Sequence, residues 1–312
     1  MLARVADSLF WIGRYIERSE HLARFTKIQY FSALDAPLYH KQGFVLNSIG
    51  TMAGLSADER ALGEEELLFR VGLDRNAPVS IYSAVSLART NARGARDLLS
   101  SELWEAINKY YHFVQNYPVE VFKTRGLYDF TQQVLVHCIV IKGTAENTLL
   151  HDQVWAFIQC GIYLERALQT ARIIQTKLLD ISSLADEVAD APTLEQYQIS
   201  TLLAATEGFD MSRRFYKTEV DRRMALEFLI LNPVFPRSIS YSLRKLLTYL
   251  QRISPAAPSD PQSVEFVAGK LSASLQYLTI GEILPDPMAF LQEILGRLYR
   301  TGELMHANYL KY

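Results

Sequence analysis

The sequence has few of the residues that mark secreted or membrane proteins. Its 312 residues include only two cysteines, Cys138 and Cys160, which form neither a CxxC pair nor a disulfide framework. Isolated cysteines in apolar surroundings are typical of a reducing compartment. No apolar run reaches the length that a membrane-spanning helix needs. We therefore expect a cytoplasmic protein with no membrane association.

An excess of charge of either sign is also missing. The 32 lysines and arginines are balanced by 34 aspartates and glutamates, which gives a formal net charge of −2. A domain that binds nucleic acid through its phosphates usually has a basic surplus concentrated on one surface. The composition therefore predicts that nucleic acid is not a partner.

The common signatures of catalysis are absent as well. The chain has no P-loop, no GxGxxG and no GxSxG, and its six histidines show no HExxH or other metal-ligand spacing. We therefore expect no cofactor and no metal ion, and the sequence favours a non-catalytic role over an enzymatic one.

What the sequence does contain is a repeated pattern. "GRYIERSEHLAR" at 13–24 and "GIYLERALQTAR" at 161–172 share Gly, Tyr, Glu-Arg, Ala and Arg at an offset of 161 − 13 = 148. "LDRNAPVSI" at 73–81 and "LNPVFPRSI" at 231–239 match at an offset of 236 − 78 = 158. Matches in the same order at nearly equal offsets indicate internal duplication. We predict two repeats, 1–148 and 149–312, packed as one compact unit about a pseudo-twofold axis.

Helical spacing of apolar residues dominates both repeats and predicts an all-α bundle. Leu9, Ile12, Ile16 and Ala23 follow three-four spacing, which places them on one face of a helix. The segments 56–59 ("SADE") and 193–196 ("TLEQ") fit capping boxes, and Asp286-Pro287 fits a helix start. The β-branched run at 134–143 has no second run to pair with as a strand, so we predict a buried helix there.

The two motifs place charged residues on apolar helix faces, which favours one of two arrangements. Carboxylates in such positions need a partner or access to water. In the first arrangement, Glu17 and Glu165 pair reciprocally with arginines of the opposite motif as a buried clasp, and Gly13 and Gly161 allow close helix approach. In the second, the same side chains line a pocket for anionic or peptide-like ligands. The candidate residues for both are Glu17, Arg18, Arg24, Glu165, Arg166 and Arg172.

A third feature is an arginine-rich stretch, "ARTNARGAR", within a predicted helix. Arg89, Arg93 and Arg96 fall on or near one helical face. Such a face can dock a phosphate or an acidic partner, although the sequence favours a solvated surface because surface charge is common.

Together, these motifs resemble the Alpha-E family of predicted all-helical bacterial proteins with a Glu-Arg motif. The resemblance rests on "MLARVADSLFWIGRYIERSEHLAR", "NARGARDLLSSELWEAIN", "WAFIQCGIYLERALQTAR" and "EFLILNPVFPRSISYSL", in this order along nearly the whole chain. It implies a genomic association with ATP-grasp ligase-like and transglutaminase-like proteins, which suggests a role in making or modifying a peptide or amide-bonded product.

Three functions remain open from the sequence. The leading hypothesis is an accessory helical protein that acts with an ATP-grasp ligase-like partner. The second is a stand-alone enzyme with Glu17 or Glu165 as general acid or base and the arginines as anion clamps. The third is a structural bundle that forms homo-oligomers.

Overall fold

The computed structural model describes residues 1–32, 42–185, 191–254 and 260–311. All regular secondary structure in these ranges is helical, as the periodicity predicts. The chain divides into two compact units. Unit 1 contains residues 1–162 and the last residues from Leu310, and unit 2 contains residues 163–309.

Unit 1 is built around one long central helix, α1, which packs against α2, α5 and α8. Its helices are α1 (Ala3–Ser32), α2 (Gln42–Ala53), α3 (Ala57–Arg60), α4 (Glu64–Gly72), α5 (Ile81–Gly94), α6 (Ser101–Asn116), α7 (Val119–Val121), α8 (Leu127–Thr148) and the first part of α9 (Gln153–Ala185), with a 3-10 turn at Arg96–Leu98 and a π-helical turn at Phe122–Gly126.

The face of α1 that three-four spacing predicts is buried. Leu9, Ile12, Ile16 and Ala23 are each at most 2% exposed. Burying one leucine or isoleucine side chain contributes about 1.5–3 kcal/mol, so this stripe is a main source of stability in unit 1. It also fixes the rotation of α1 and therefore the direction in which its charged residues point.

Unit 2 is organised around α12, which contacts α10, α11, α13 and α15, while α14 packs against both α13 and α16. Its helices are the remainder of α9, α10 (Ala191–Ala205), α11 (Phe209–Tyr216), α12 (Arg222–Ile230), α13 (Ile239–Ile253), α14 (Val264–Gln276), α15 (Ile280–Ile283) and α16 (Pro287–Met305), followed by a π-helical turn at His306–Leu310. Leu243 and Leu250 of α13 are fully buried, which anchors its apolar face.

The helix starts follow local hydrogen-bonding chemistry in most places. Ser56 and Glu59 form a capping box at α3, and the Asp286 side chain accepts the Ala289 amide ahead of Pro287. The box predicted at 193–196 is wrong, because α10 already begins at Ala191 and Thr193 lies within the helix. A capping sequence is used as a cap only where the chain enters the helix at that residue.

The prediction of a buried helix at 134–143 holds only in part. These residues do lie in α8, and Val134, Cys138 and Ile141 are buried. Val136, Ile139 and Val140, however, are 43%, 60% and 49% exposed. The helix therefore has one buried and one exposed apolar face, and we refer to Val136, Ile139 and Val140 as the α8 stripe.

Candidate functional site

The two motif glycines lie where α1 and the start of α9 meet backbone to backbone within unit 1. A Cβ added at Gly13 would overlap the Ile158 carbonyl oxygen and lie 2.9 Å from the Ile162 nitrogen. A Cβ added at Gly161 would overlap the Phe10 carbonyl oxygen. The contacts are reciprocal in sequence, since 158 − 10 = 148 equals the motif offset 161 − 13. Only glycine allows this approach, because the obstructing atoms are backbone atoms.

One turn beyond Gly13, α1 carries a buried group of charged side chains. Glu17 and Glu20 are both 0% exposed. Glu17 Oε1 lies 3.1 Å from His21 Nε2, and Glu17 Oε2 lies 3.1 Å from Lys142 Nζ of α8. Lys142 also pairs with Glu20, which pairs in turn with Arg24. We call Glu17, Glu20, His21, Arg24 and Lys142 the Glu17 cluster.

Within the Glu17 cluster, each carboxylate is paired with a cation. Its two carboxylates face the ammonium of Lys142 and the guanidinium of Arg24, which is 3% exposed. Buried ions are tolerated only when paired in this way, because desolvation costs several kcal/mol for each ion. Of the two cations, Lys142 is the more exposed, with 19% of its side chain accessible. The geometry is that of a largely buried ion-pair network.

A second buried network lies beside this cluster. The Tyr110 hydroxyl donates to Ser19 Oγ at 3.1 Å, Ser19 Oγ donates to the Ile16 carbonyl at 2.9 Å, and Cys138 Sγ lies 3.6 Å from Ser19 Oγ. Burial raises the pKa of the Cys138 thiol to about 12 and the pKa of Tyr110 well above 10. Cys138 is therefore a thiol at neutral pH, and thiols are poor nucleophiles.

The second motif has its own contacts in unit 2. Glu165 is 1% exposed, and its Oε1 accepts a hydrogen bond from Gln169 Nε2 at 2.7 Å. Gln169 stands where the first motif has His21, since 169 − 21 = 148. Arg166 stacks 4.8 Å from the Tyr163 ring, and its Nη1 donates to the Pro236 carbonyl at 3.3 Å. The Glu-Arg pair of this motif thus contacts a neighbouring helix turn and the 231–239 loop.

The other two predicted motif arginines are only partly buried. Arg18 is half-buried, with its guanidinium 5.7 Å from the Tyr15 ring, and Arg172 is also half-buried. The reciprocal pairing of Glu17 and Glu165 with arginines of the opposite motif stays a prediction. Sequence reasoning missed Glu20 and Lys142. The Glu20–Arg24 spacing of four residues signals such a pair, whereas Lys142 lies 125 residues from Glu17 and carries no sequence signal.

The two matched loops have the same local structure. Ser80 and Ser238 cap α5 and α13 and accept the amides of Ser83 and Tyr241. Each cap hydroxyl also donates to a carbonyl six residues earlier, on Asp74 at 2.7 Å and on Asn232 at 2.5 Å.

The Asp74 and Asn232 side chains match in turn. Each accepts the backbone amide two residues later, at 2.8 Å and 2.9 Å. The loops 73–81 and 231–239 therefore share both their sequence pattern and its hydrogen bonds.

Arg89, Arg93 and Arg96 form the arginine face, and side chains of α6 contact two of these three arginines. Arg89 lies 4.5 Å from the Tyr111 ring and donates from Nε to Asn108 Oδ1 at 2.8 Å. Arg96 lies 5.7 Å from the Trp104 ring. Arg93, between them, is exposed. Both stacked guanidiniums keep part of their donor set for other acceptors, because each arginine has five N–H groups.

Among the described residues, no three His, Cys, Asp or Glu side chains are grouped so that they could hold a metal ion. Within the same residues, no helix is both long enough and apolar enough to cross a membrane.

Comparison with known proteins gives a family and uncharacterized relatives. A sequence model of the Alpha-E family, described as a predicted alpha-helical domain with a conserved ER motif, matches residues 1–310. Uncharacterized proteins of Mycobacterium bovis and of two Mycobacterium tuberculosis strains are each 24% identical over 276 residues. The matched region covers 82% of this chain and 30% of each relative, so the chain spans about a third of their length. No solved structure matches.

Proposed function

Because the chain belongs to the Alpha-E family, we propose that it is a cytoplasmic accessory protein that acts with an ATP-grasp ligase-like partner. The joint product is a peptide or another amide-bonded compound, with a transglutaminase-like protein as a further partner. In this proposal the partner supplies the nucleotide chemistry, and this chain supplies a rigid helical body that docks the partner or its substrate.

The observation that carries the non-catalytic role is the state of Glu17. Both of its carboxylate oxygens have partners, His21 and Lys142, and the residue is 0% exposed. A general acid or base must come within hydrogen-bonding reach of its substrate. A buried carboxylate whose two oxygens are already paired suits a structural role better than a catalytic one.

The relatives support a role that depends on other protein domains. In the mycobacterial proteins the matching region makes up 30% of the length, so most of each protein lies outside it. A domain that forms about a third of a longer polypeptide has other parts of that polypeptide beside it as possible working components.

We further propose that Arg89, Arg93 and Arg96 form the docking face for the partner. Stacking on Tyr111 and Trp104 restrains Arg89 and Arg96 before binding. Restrained side chains lose less entropy on association, and arginine is favoured at interfaces for its planar donor set. An acidic surface on the partner would complement this face.

The proposal also includes an internal duplication with two halves related by a pseudo-twofold axis. The reciprocal contacts of Gly13 and Gly161 and the matching hydrogen bonds of the two loops support it.

One observation favours a different role as a second candidate. The exposed α8 stripe is an apolar surface that would suit a homo-oligomer.

The test of the partnership is co-purification with an ATP-grasp ligase-like protein of the same organism. We expect a complex that Arg93→Glu weakens at least tenfold, while Arg297→Glu, at an exposed arginine of α16, leaves it intact. No complex at micromolar concentration, or equal effects of both variants, would contradict the proposed docking face.

The test of the non-catalytic role uses the chain alone with ATP, magnesium and an amino-acid mixture. We expect neither ATP hydrolysis nor ligation. Turnover that disappears in Glu17→Gln or Glu165→Gln would overturn the accessory role and favour the stand-alone enzyme.

A further inference from the structure

A cleft in unit 1, away from both Glu-Arg motifs, has the features of a small-molecule site. It lies between the end of α1, the start of α4 and the π-helical turn at Phe122–Gly126, and its volume is about 470 Å³. Pockets that bind small molecules are typically about 300–1,000 Å³ and combine apolar walls with a few polar groups. Here Phe31, Phe122 and Leu127 supply apolar wall, and Glu64, Lys123 and Arg125 supply charge.

The π-helical turn explains how three consecutive polar residues reach the cleft. Phe122 is 3% exposed, and its ring packs where a side chain on Gly72 would otherwise lie. The following residues, Lys123, Thr124 and Arg125, are all exposed and line the cleft. The wide turn is fixed from behind, because the Tyr117 hydroxyl donates to the Gly126 carbonyl at 3.0 Å. Single π turns of this kind occur frequently at functional sites.

The two carboxylates of the cleft, Glu64 and Glu65, belong to α4, and each contacts another residue that lines the cleft. Glu64 Oε1 accepts a hydrogen bond from the Tyr30 hydroxyl, and Glu65 Oε1 lies 2.7 Å from Lys123 Nζ. Burial, together with the hydrogen bond to Glu64, raises the pKa of Tyr30 to about 12, so the phenol keeps its proton at neutral pH. The Glu65 side chain is 60% exposed. An exposed pair of this kind contributes little to stability, so a ligand can share either partner.

The balance of charge selects the class of ligand. Two carboxylates, Glu64 and Glu65, stand against two cations, Lys123 and Arg125, so the lining has no net charge. A nucleotide or polyphosphate would bring several negative charges against both glutamates, and a polyamine would bring several positive charges against both cations. A ligand with one charge of each sign meets attraction at both ends.

We propose that this cleft binds a zwitterion of the amino-acid or short-peptide class. The ammonium group lies toward Glu64 and Glu65, the carboxylate lies toward Arg125 and Lys123, and an apolar side chain packs against Phe31 and Leu127. The proposal goes beyond the accessory function and does not depend on it, since the binding is measured with this chain alone.

The test compares three probes that share one side chain and differ in which end is charged: L-phenylalanine, L-phenylalaninamide and N-acetyl-L-phenylalanine. Each is titrated into the full chain by calorimetry or by NMR chemical shifts. We expect the zwitterion to bind at least about fivefold more tightly than either singly charged probe, because it alone engages both groups of charges.

Two charge-removing variants assign the ends of the ligand. Arg125→Gln will weaken the two carboxylate-bearing probes about tenfold and leave the amide unchanged. Glu65→Gln will weaken the two ammonium-bearing probes and leave the N-acetyl compound unchanged. Arg300→Gln, at an exposed arginine of α16 outside the cleft, serves as the control and will change none of them.

The proposal is overturned if none of the probes saturates the protein at millimolar concentration, or if all three bind equally. It is also overturned if Arg125→Gln and Glu65→Gln bind the probes as the unchanged chain does. Any of these results would leave the co-purification with the ATP-grasp-type partner unaffected, so the two proposals fail separately.

Discussion

Gly13 of α1 lies directly against the carbonyl oxygen of Ile158 in α9, with no room for a side chain between the two helices. Gly161 of α9 lies in the same way against Phe10 of α1. Each motif therefore begins at the point where its helix crosses the other. Both residues lie within helices and have ordinary helical backbone conformations. Glycine is required at these positions because it has no Cβ, and not because of its conformational freedom.

Gly13→Ala will destabilise the protein. The new methyl group meets backbone atoms of Ile158 and Ile162, which cannot move without shifting α9. Overpacking of this kind costs about 1–3 kcal/mol, and we expect a loss of that size in the free energy of unfolding measured by urea titration.

The control for this variant is Gly143→Ala. Gly143 lies in α8, and an added Cβ there has no neighbour within 4 Å. Alanine is the better helix former, so this change will raise stability by about 0.5–1 kcal/mol. Equal effects at the two positions would show that the helix crossing is not sterically tight.

Lys142→Met tests whether the Glu17 cluster is a structural network. The change removes one cation from two buried carboxylates, Glu17 and Glu20. Breaking a fully buried pair costs about 3–5 kcal/mol. Because the Lys142 side chain keeps 19% exposure, we expect a somewhat smaller loss, of about 2–4 kcal/mol, in denaturant unfolding.

Lys109→Met is the matched control. Lys109 also pairs with a glutamate, Glu105 at 3.7 Å, but its side chain is 73% exposed. Surface substitutions of this kind usually change stability by less than about 0.5 kcal/mol. If Lys142→Met were equally neutral, the Glu17 cluster could not have the structural role that the proposed function assumes.

The sequence predicts the helices and their buried faces well, and the reasons are local. Leu9, Ile12 and Ile16 repeat at helical spacing, and the structure buries all three. Ser80 and Ser238 follow a turn and precede an apolar run, and both cap a helix. Side chains a few residues apart decide these features, so a short window of sequence contains them.

Other features depend on which distant segments meet and could not be predicted in this way. Lys142 joins the Glu17 cluster only because α8 packs against α1. In the run at 134–143 both faces of the helix are apolar, so periodicity does not tell the buried Cys138 from the exposed Ile139. The π-helical turn at Phe122–Gly126 likewise has no sequence pattern that distinguishes it from an α-helical turn.

The lowered pKa of Lys177 in unit 2 predicts that the stability of the protein depends on pH in the alkaline range. Burial lowers the pKa of this lysine, and the Asp180 carboxylate, whose Oδ2 lies 3.0 Å from Nζ, only partly opposes the shift. Between the lowered folded pKa and the ordinary value of 10.5, the unfolded chain binds more protons than the folded one. The free energy of unfolding therefore rises with pH across that window and falls as pH decreases through it.

We expect Lys177→Met to have a flatter pH dependence in this range than the unchanged chain, measured by urea unfolding at a series of alkaline pH values. Lys270→Met, at an exposed lysine of α14, will keep the original slope. Parallel curves for Lys177→Met and the unchanged chain would mean that the pKa of Lys177 is not lowered in the folded protein.

Ser80 and Ser238 provide the sharpest energetic test of the duplication. Both are 0% exposed, and each hydroxyl accepts one amide and donates to one carbonyl. Ser80→Ala and Ser238→Ala should each lower the free energy of unfolding by about 1–2 kcal/mol, because a helix cap and a buried acceptor lose their partner together. Ser263→Ala, at the more exposed cap of α14, should cost about 0.5–1 kcal/mol. Similar losses at Ser80 and Ser238 are what two copies of one ancestral loop require. A large loss at one serine and none at the other would mean that the loops share geometry without sharing an energetic role, which would remove their support for duplicated halves.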